Sequence, residues 1–149
     1  MGTPINVTPG TYGGVWYCCG QVNTLPGKTY VYSGPMATYC AWHRPMAIYE
    51  PEVDTTFFVF GNQDNAPAIG RYDHASGRFS EPVVLGSNKD GDAHRNPTLF
   101  IEETGHLVVF YGAHGDTTRV LRSAAPLDIS SWEFLSEIHN TTYPQPWLL

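Results

Sequence analysis

The sequence predicts an all-β protein built from repeated four-stranded antiparallel sheets, and three observations carry that expectation. The first is composition. Of 149 residues, 13% are aromatic and only 15% charged, with 15 Gly and 12 Pro spread along the chain. Aromatic side chains suit pleated surfaces, and Gly and Pro suit turns, so this mixture describes many short strands broken by tight turns. The second is punctuation. Pro45, Pro51, Pro67, Pro82, Pro97, Pro126 and Pro144 recur too often for any helix to run between them. The third is self-similarity. His43-Arg44-Pro45 leads through a turn at Glu50-Pro51-Glu52 to Phe57-Phe58-Val59-Phe60-Gly61. At a gapless offset of 51 residues, His94-Arg95-Asn96 leads through Glu103-Thr104-Gly105 to Val108-Val109-Phe110-Tyr111-Gly112.

The elements follow in order. Val15-Trp16-Tyr17-Cys18-Cys19 and Thr29-Tyr30-Val31-Tyr32 are strand-like, so residues 1–42 are expected to form N-terminal strands or a partial unit. A first full unit is expected over 43–86, with strands near 45–50, 55–61, 67–73 and 79–85. A second is expected over 92–139, with strands near 97–102, 106–112, 117–123 and 132–138. Residues 140–149 then open a further unit. Phe79 and Trp132 follow small, polar turns, where a large ring can fix the turn against its sheet.

A unit of about 40–50 residues holding four strands has the length of one β-propeller blade. A closed ring of about 4–8 such blades needs roughly 200–400 residues. This chain supplies two to three blades, so the expectation is a partial propeller. It is either a piece of a longer protein or a unit that completes itself by self-association through open blade edges.

Charge narrows the partners. The net charge is −6 with eight Lys and Arg. A nucleic-acid binder needs a concentrated basic surface, and none is visible. An acidic polysaccharide remains a suitable partner, because a local pocket can be cationic on an acidic chain. No apolar run is long enough for a membrane span. The first residues carry neither the basic nor the apolar segment of a signal peptide. Cys18, Cys19 and Cys40 have no zinc-site spacing. They read as idle thiols, with a bridge from Cys40 to Cys18 or Cys19 open in an exported protein.

Several stretches go further. Asp92-Ala93-His94-Arg95-Asn96-Pro97, Val109-Phe110-Tyr111-Gly112-Ala113-His114-Gly115, Leu121-Arg122-Ser123, Asp128-Ile129-Ser130-Ser131-Trp132 and Thr142-Tyr143-Pro144-Gln145 together resemble the BNR-repeat-containing family that includes ulvan lyases. The likeness is densest from about 92 to 145. It implies blades from a seven-bladed propeller, an extracellular or periplasmic location, and cleavage of uronic-acid-containing polysaccharide such as ulvan by β-elimination.

That chemistry needs a base for the C5 proton, hydrogen-bond donors or cations at the carboxylate, and an acid for the leaving glycosidic oxygen. Histidine suits proton transfer near neutrality. By resemblance His94 takes the base or acid role. His114 lies 20 residues on, at the expected end of the second strand of the same unit, where a hairpin returns it to the same rim. It is assigned to substrate carboxylate binding or charge neutralisation. Arg95 and Asn96 are candidate substrate contacts, as are His43 and Arg44 one unit earlier. Each arginine has a competing structural role, bonding backbone carbonyls between units. His74, His106 and His139 sit in or beside expected turns and read as surface residues. Tyr143 reads as packing at the start of the next unit.

No cofactor is predicted. Two histidines without a third ligand do not make a metal site. The resembled lyases also use a tyrosine and an arginine from later blades, whose positions would fall past Leu149. The chain is therefore expected to carry part of a site. Two other functions compete: a non-catalytic carbohydrate-binding propeller fragment, and a sialidase-like glycoside hydrolase. The hydrolase would call for paired carboxylates across a cleft, which the sequence does not show.

Overall fold

A computed structural model describes residues 42–62, 66–88, 90 and 92–147. The strand-like pieces expected before residue 42, and all three cysteines, lie outside the described residues. The described chain is all-β apart from one 3-10 turn, Ala93–Arg95. Among the described residues no helix is long and apolar enough to cross a membrane, which says nothing about a β-barrel.

Two antiparallel sheets follow one another. The first holds β1 (Ala47–Glu50), β2 (Thr55–Gly61), β3 (Pro67–Asp73), β4 (Arg78–Phe79) and β5 (Val83–Val84). The second holds β6 (Thr98–Ile101), β7 (Leu107–Tyr111), β8 (His114–Ser123) and β9 (Trp132–Thr142). Both run in sequence order, except that β4 and β5 pair with opposite ends of β3. The single fourth strand expected at 79–85 is thus two short pieces, separated by Ser80, Glu81 and Pro82. Pro82 has no amide hydrogen to give to a ladder. β9 runs to Thr142, past the boundary expected at 139, because its pairing with β8 continues to His114↔Thr142. His139 therefore sits in a strand, opposite Thr117, and not in a turn.

The repeat shows in the hairpins. Asp54 (φ 47) and Gly105 (φ 79), 51 positions apart, each take the left-handed conformation at the end of the first hairpin of their sheet. Asp54 N donates to Pro51 O and Gly105 N to Glu102 O, the mark of a short turn closed by a left-handed residue. The outer turns are held by carboxylates. Asp73 accepts from Ser76 N at 2.7 Å, and Asp128 accepts from Ser130 N at 2.9 Å. Trp132 donates its indole hydrogen to Ile129 O at 2.9 Å and packs against the core. Phe79 sits opposite Tyr72 on β4, with its ring 4.7 Å from Tyr72 and 5.9 Å from Phe58.

Alternation builds the core. In β2, Thr55, Phe57 and Val59 are buried while Thr56 and Phe58 are half-buried, as period-two side chains require. In the second sheet Leu99 lies opposite Val109, and Val109 opposite Leu121, so three apolar residues align on one face. They join Phe57, Val59 and Ile69 of the first sheet, with Leu107, Tyr111 and Ile129, in one buried cluster. Two hydrogen bonds tie the sheets together at their first strands: Leu99 N to Pro45 O at 2.8 Å, and His43 Nε2 to His94 O at 2.9 Å. The second bond joins a pair of repeat-related histidines at the end of the second sheet where β6 begins.

Candidate active site

That end of the sheet gathers the 3-10 turn before β6, the link between β7 and β8, and the segment after β9. Gly112 (φ 97) and Gly115 (φ 75) turn the chain from β7 into β8, in a region that side-chain-bearing residues rarely adopt. His114 accordingly opens β8 and does not close β7, which corrects its expected position. The rim expected for it is the one observed. The rings of His94 and His114 stack with centroids 4.1 Å apart and planes 11° from parallel.

Asp92, quoted above in a motif but given no role, bridges the Nδ1 edges of the two imidazoles. Its Oδ1 is 2.6 Å from His94 Nδ1, and its Oδ2 is 2.6 Å from His114 Nδ1. Oδ1 also accepts from His94 N at 3.0 Å, so the carboxylate is held by its own turn. The side chains are 20% exposed at Asp92, 17% at His94 and 43% at His114, so the cluster opens to solvent on the His114 side.

Tyr143 is a second residue whose position the sequence did not reveal. Its backbone is left-handed (φ 54), uncommon for an aromatic residue. This brings its ring 5.6 Å from His94 and 5.3 Å from His43.

The other expected site residues divide. His43 is buried and bonded to the His94 carbonyl, so it backs the pair. Asn96 is buried directly after the turn. Arg95 is also buried. Its Nη1 donates to Asp116 Oδ1 at 2.8 Å and to the Gly112 carbonyl, and its Nε to Asp90 Oδ1 at 3.1 Å. Burial disfavours the charged guanidinium, but the hydrogen bonds to Asp116 and Asp90 outweigh it and hold the pKa above its ordinary value. The carbonyl bond is the structural role that competed for this residue. Asp116 in turn accepts from His114 N at 2.9 Å, so Arg95 fixes the strand end that carries His114. Arg44 is exposed and lines a separate hollow of about 290 Å³ with Trp42, Gln145 and Trp147.

Asp92, His94 and His114 offer three ligand atoms within 4.8 Å of one another, so the third group missing from the sequence reading is present.

An all-β chain of tandem antiparallel sheets, with paired imidazoles at one sheet end, defines the class. Residues 37–148 match the BNR repeat-containing family, and the chain belongs to that family. Among curated proteins it is similar to "Ulvan Lyase-PL25" of Pseudoalteromonas sp. (strain PLSV), at 28% identity over 56% of this chain and 22% of that protein. It is also similar to an "Ulvan lyase" of Alteromonas sp. (strain LOR), at 26% identity over 64% of this chain and 24% of that one. A solved PL25 ulvan lyase superposes with a TM-score of 0.62 at 26% identity, covering 68% of this chain and 28% of that structure. The same enzyme bound to -[GlcA(1-4)Rha3S]- superposes with the same TM-score at 25% identity. The chain spans about a quarter of the length of these relatives.

Proposed function

We propose that this chain is part of a polysaccharide lyase that cleaves a uronic-acid-containing polymer such as ulvan by β-elimination, and that its two sheets are blades of a propeller. One observation carries the reading. His94, picked out by resemblance to ulvan lyases, and His114, picked out 20 residues on by the expected hairpin, meet as a stacked pair at one open sheet end. In the reaction one imidazole takes the proton from C5 of the uronic acid. The C5–H electron pair becomes the C4–C5 double bond, the C4–O bond breaks, and the leaving oxygen gains a proton from the acid. His94 and His114 are the base and acid candidates, and His114, the more exposed, is also placed to meet the substrate carboxylate. Arg95 serves the site from behind, by bonding Asp116 and the Gly112 carbonyl at the strand end that presents His114, and Asn96 lies buried directly after the turn that carries His94.

Arg44 supports acidic-sugar binding in its own hollow. It shares its hollow with Trp42 and Trp147, whose indoles are 62% and 69% exposed. Exposed rings beside a guanidinium suit a sugar face and its anionic group. An acidic polymer substrate fits an extracellular or periplasmic location. Self-association through the open edge at β9 belongs to the same reading, since Phe134, Leu135 and Ile138 stand 62%, 53% and 43% exposed there.

The test is direct. Elimination creates an unsaturated uronate that absorbs in the ultraviolet, and hydrolysis does not. The lyase of which this chain is part is incubated with ulvan and with other uronic-acid polymers. Absorbance should rise, and His94→Ala and His114→Ala, each still folded, should abolish the rise. A rise that survives both substitutions refutes the assignment. Polymer binding with no rise would leave a carbohydrate-binding unit.

A further inference from the structure

We propose that Asp92 is the positioning residue of the pair: it imposes the Nδ1–H tautomer on both imidazoles and so makes Nε2 the reacting atom of each. The proposal rests on the lyase reading for what the Nε2 atoms do, but not for the tautomers themselves.

The geometry leaves little choice. An ionised carboxylate only accepts hydrogen bonds. Each Nδ1 lies 2.6 Å from a different Asp92 oxygen, at the short limit of charge-assisted hydrogen bonds. Each ring must therefore carry a proton on Nδ1. When neutral, each then has its lone pair on Nε2. The stack keeps the rings parallel and 4.1 Å apart, so a single carboxylate sets the orientation of both. Asp92 does not choose its own orientation freely either. His94 N donates to Oδ1 at 3.0 Å, which fixes Oδ1 toward His94 and Oδ2 toward His114. A shared carboxylate thereby turns two loop histidines into a matched pair with Nε2 as the free atom of each: a neutral ring offers its Nε2 lone pair as base, and a ring carrying a second proton offers Nε2–H as acid.

The fixed orientation makes the prediction asymmetric. In Asp92→Asn, the amide oxygen stays with His94 N and His94 Nδ1–H. The amide nitrogen then replaces Oδ2 and points a donor at His114 Nδ1. That atom must become an acceptor, so the His114 proton moves to Nε2 while His94 is unchanged. The readout is the long-range proton–nitrogen NMR spectrum of the full chain. It is recorded about two units above the ordinary imidazole pKa of roughly 6.5. The two rings are assigned with His94→Gln and His114→Gln. The wild-type chain should show both rings protonated at Nδ1, and Asp92→Asn should invert His114 alone.

Either ring found protonated at Nε2 in the wild type overturns the proposal. So does a folded Asp92→Asn chain in which His114 keeps its tautomer. The wild-type measurement stands even where the variant fails to fold. Correct tautomers in a chain without elimination activity would sink the lyase reading and leave this one intact. Activity with the wrong tautomers would do the reverse.

Discussion

Replacing Arg95 by methionine should cost this protein roughly 2–4 kcal/mol of stability, and the figure follows from its partners. The Arg95 side chain is 8% exposed and bonds two carboxylates and one carbonyl. Charge-assisted bonds of this kind are worth about 1.5–3 kcal/mol each when buried. Here the Asp90 and Asp116 side chains are 45% and 39% exposed, so water replaces much of what they lose. About 1 kcal/mol together is the reasonable share for the two pairings. The Gly112 carbonyl, left without that donor, adds about 1–3 kcal/mol. For a chain of this length each kcal/mol moves the melting temperature by about 2–4 °C, so a fall of roughly 4–16 °C is expected. The assay is a thermal or urea melt of Arg95→Met beside Arg44→Ala. Arg44 is exposed, and its loss should stay within about 0.5 kcal/mol. Equal melts for the two variants would refute the reasoning. An Arg95→Met chain that melts normally but no longer binds polymer would return Arg95 to the substrate-contact role the sequence first suggested.

Two further outcomes are expected. The Arg122 guanidinium, bonded to Glu102 at 2.9 Å, and then the Thr104 hydroxyl hold the Glu102 carboxyl below its ordinary value of 4.5. A depressed folded-state pKa gives stability that is present above the ordinary value and lost as pH falls through the folded one. Arg122→Gln should thus lower stability by up to about 1 kcal/mol at neutral pH, the gap closing as pH falls from the ordinary Glu102 value through the lower folded-state one. A gap unchanged in acid would show that the pair does not act through its charge. Sedimentation of the chain at rising concentration should show self-association. Charge placed on the exposed edge by Phe134→Lys with Ile138→Lys should abolish it, and a wild-type chain that stays monomeric throughout removes the β9 proposal.

Much of the fold was legible because the same local rules were written twice. The turns at Glu50-Pro51-Glu52 and Glu103-Thr104-Gly105 and the apolar runs at Phe57–Gly61 and Val108–Gly112 mark two hairpins whatever surrounds them. His94 and His114 were legible for a related reason: a hairpin brings its two ends to one rim. Asp92 was not, because a carboxylate two residues before a histidine has many uses, and only the arrival of His114 Nδ1 at Oδ2 gives it this one. Arg95 was left between two roles on similar grounds. Its partner Asp116 is 21 residues away, across a turn whose two left-handed glycines decide where the carboxylate falls. Tyr143 depended on a backbone conformation that its residue type disfavours, so propensity argued against the observed placement.

The repeat also explains why only one of two equivalent histidines faces outward. His43 and His94 occupy the same position in successive units, yet His43 is 1% exposed while the His94 side chain is 17% exposed. The difference lies in what each ring meets. The first unit has no equivalent of Asp92: the residue two before His43 is Ala41. It has no equivalent of His114 either, since the position 51 residues before it is Gln63. The His43 ring bonds the backbone carbonyl of His94 and packs edge-on against Tyr143. The duplicated residue thus becomes a bracket for its own copy, and burial of the first histidine helps to place the second. On this view Asp92 and His114 distinguish a working unit from a supporting one. A unit of this family carrying the repeat histidine but neither partner should present no imidazole pair.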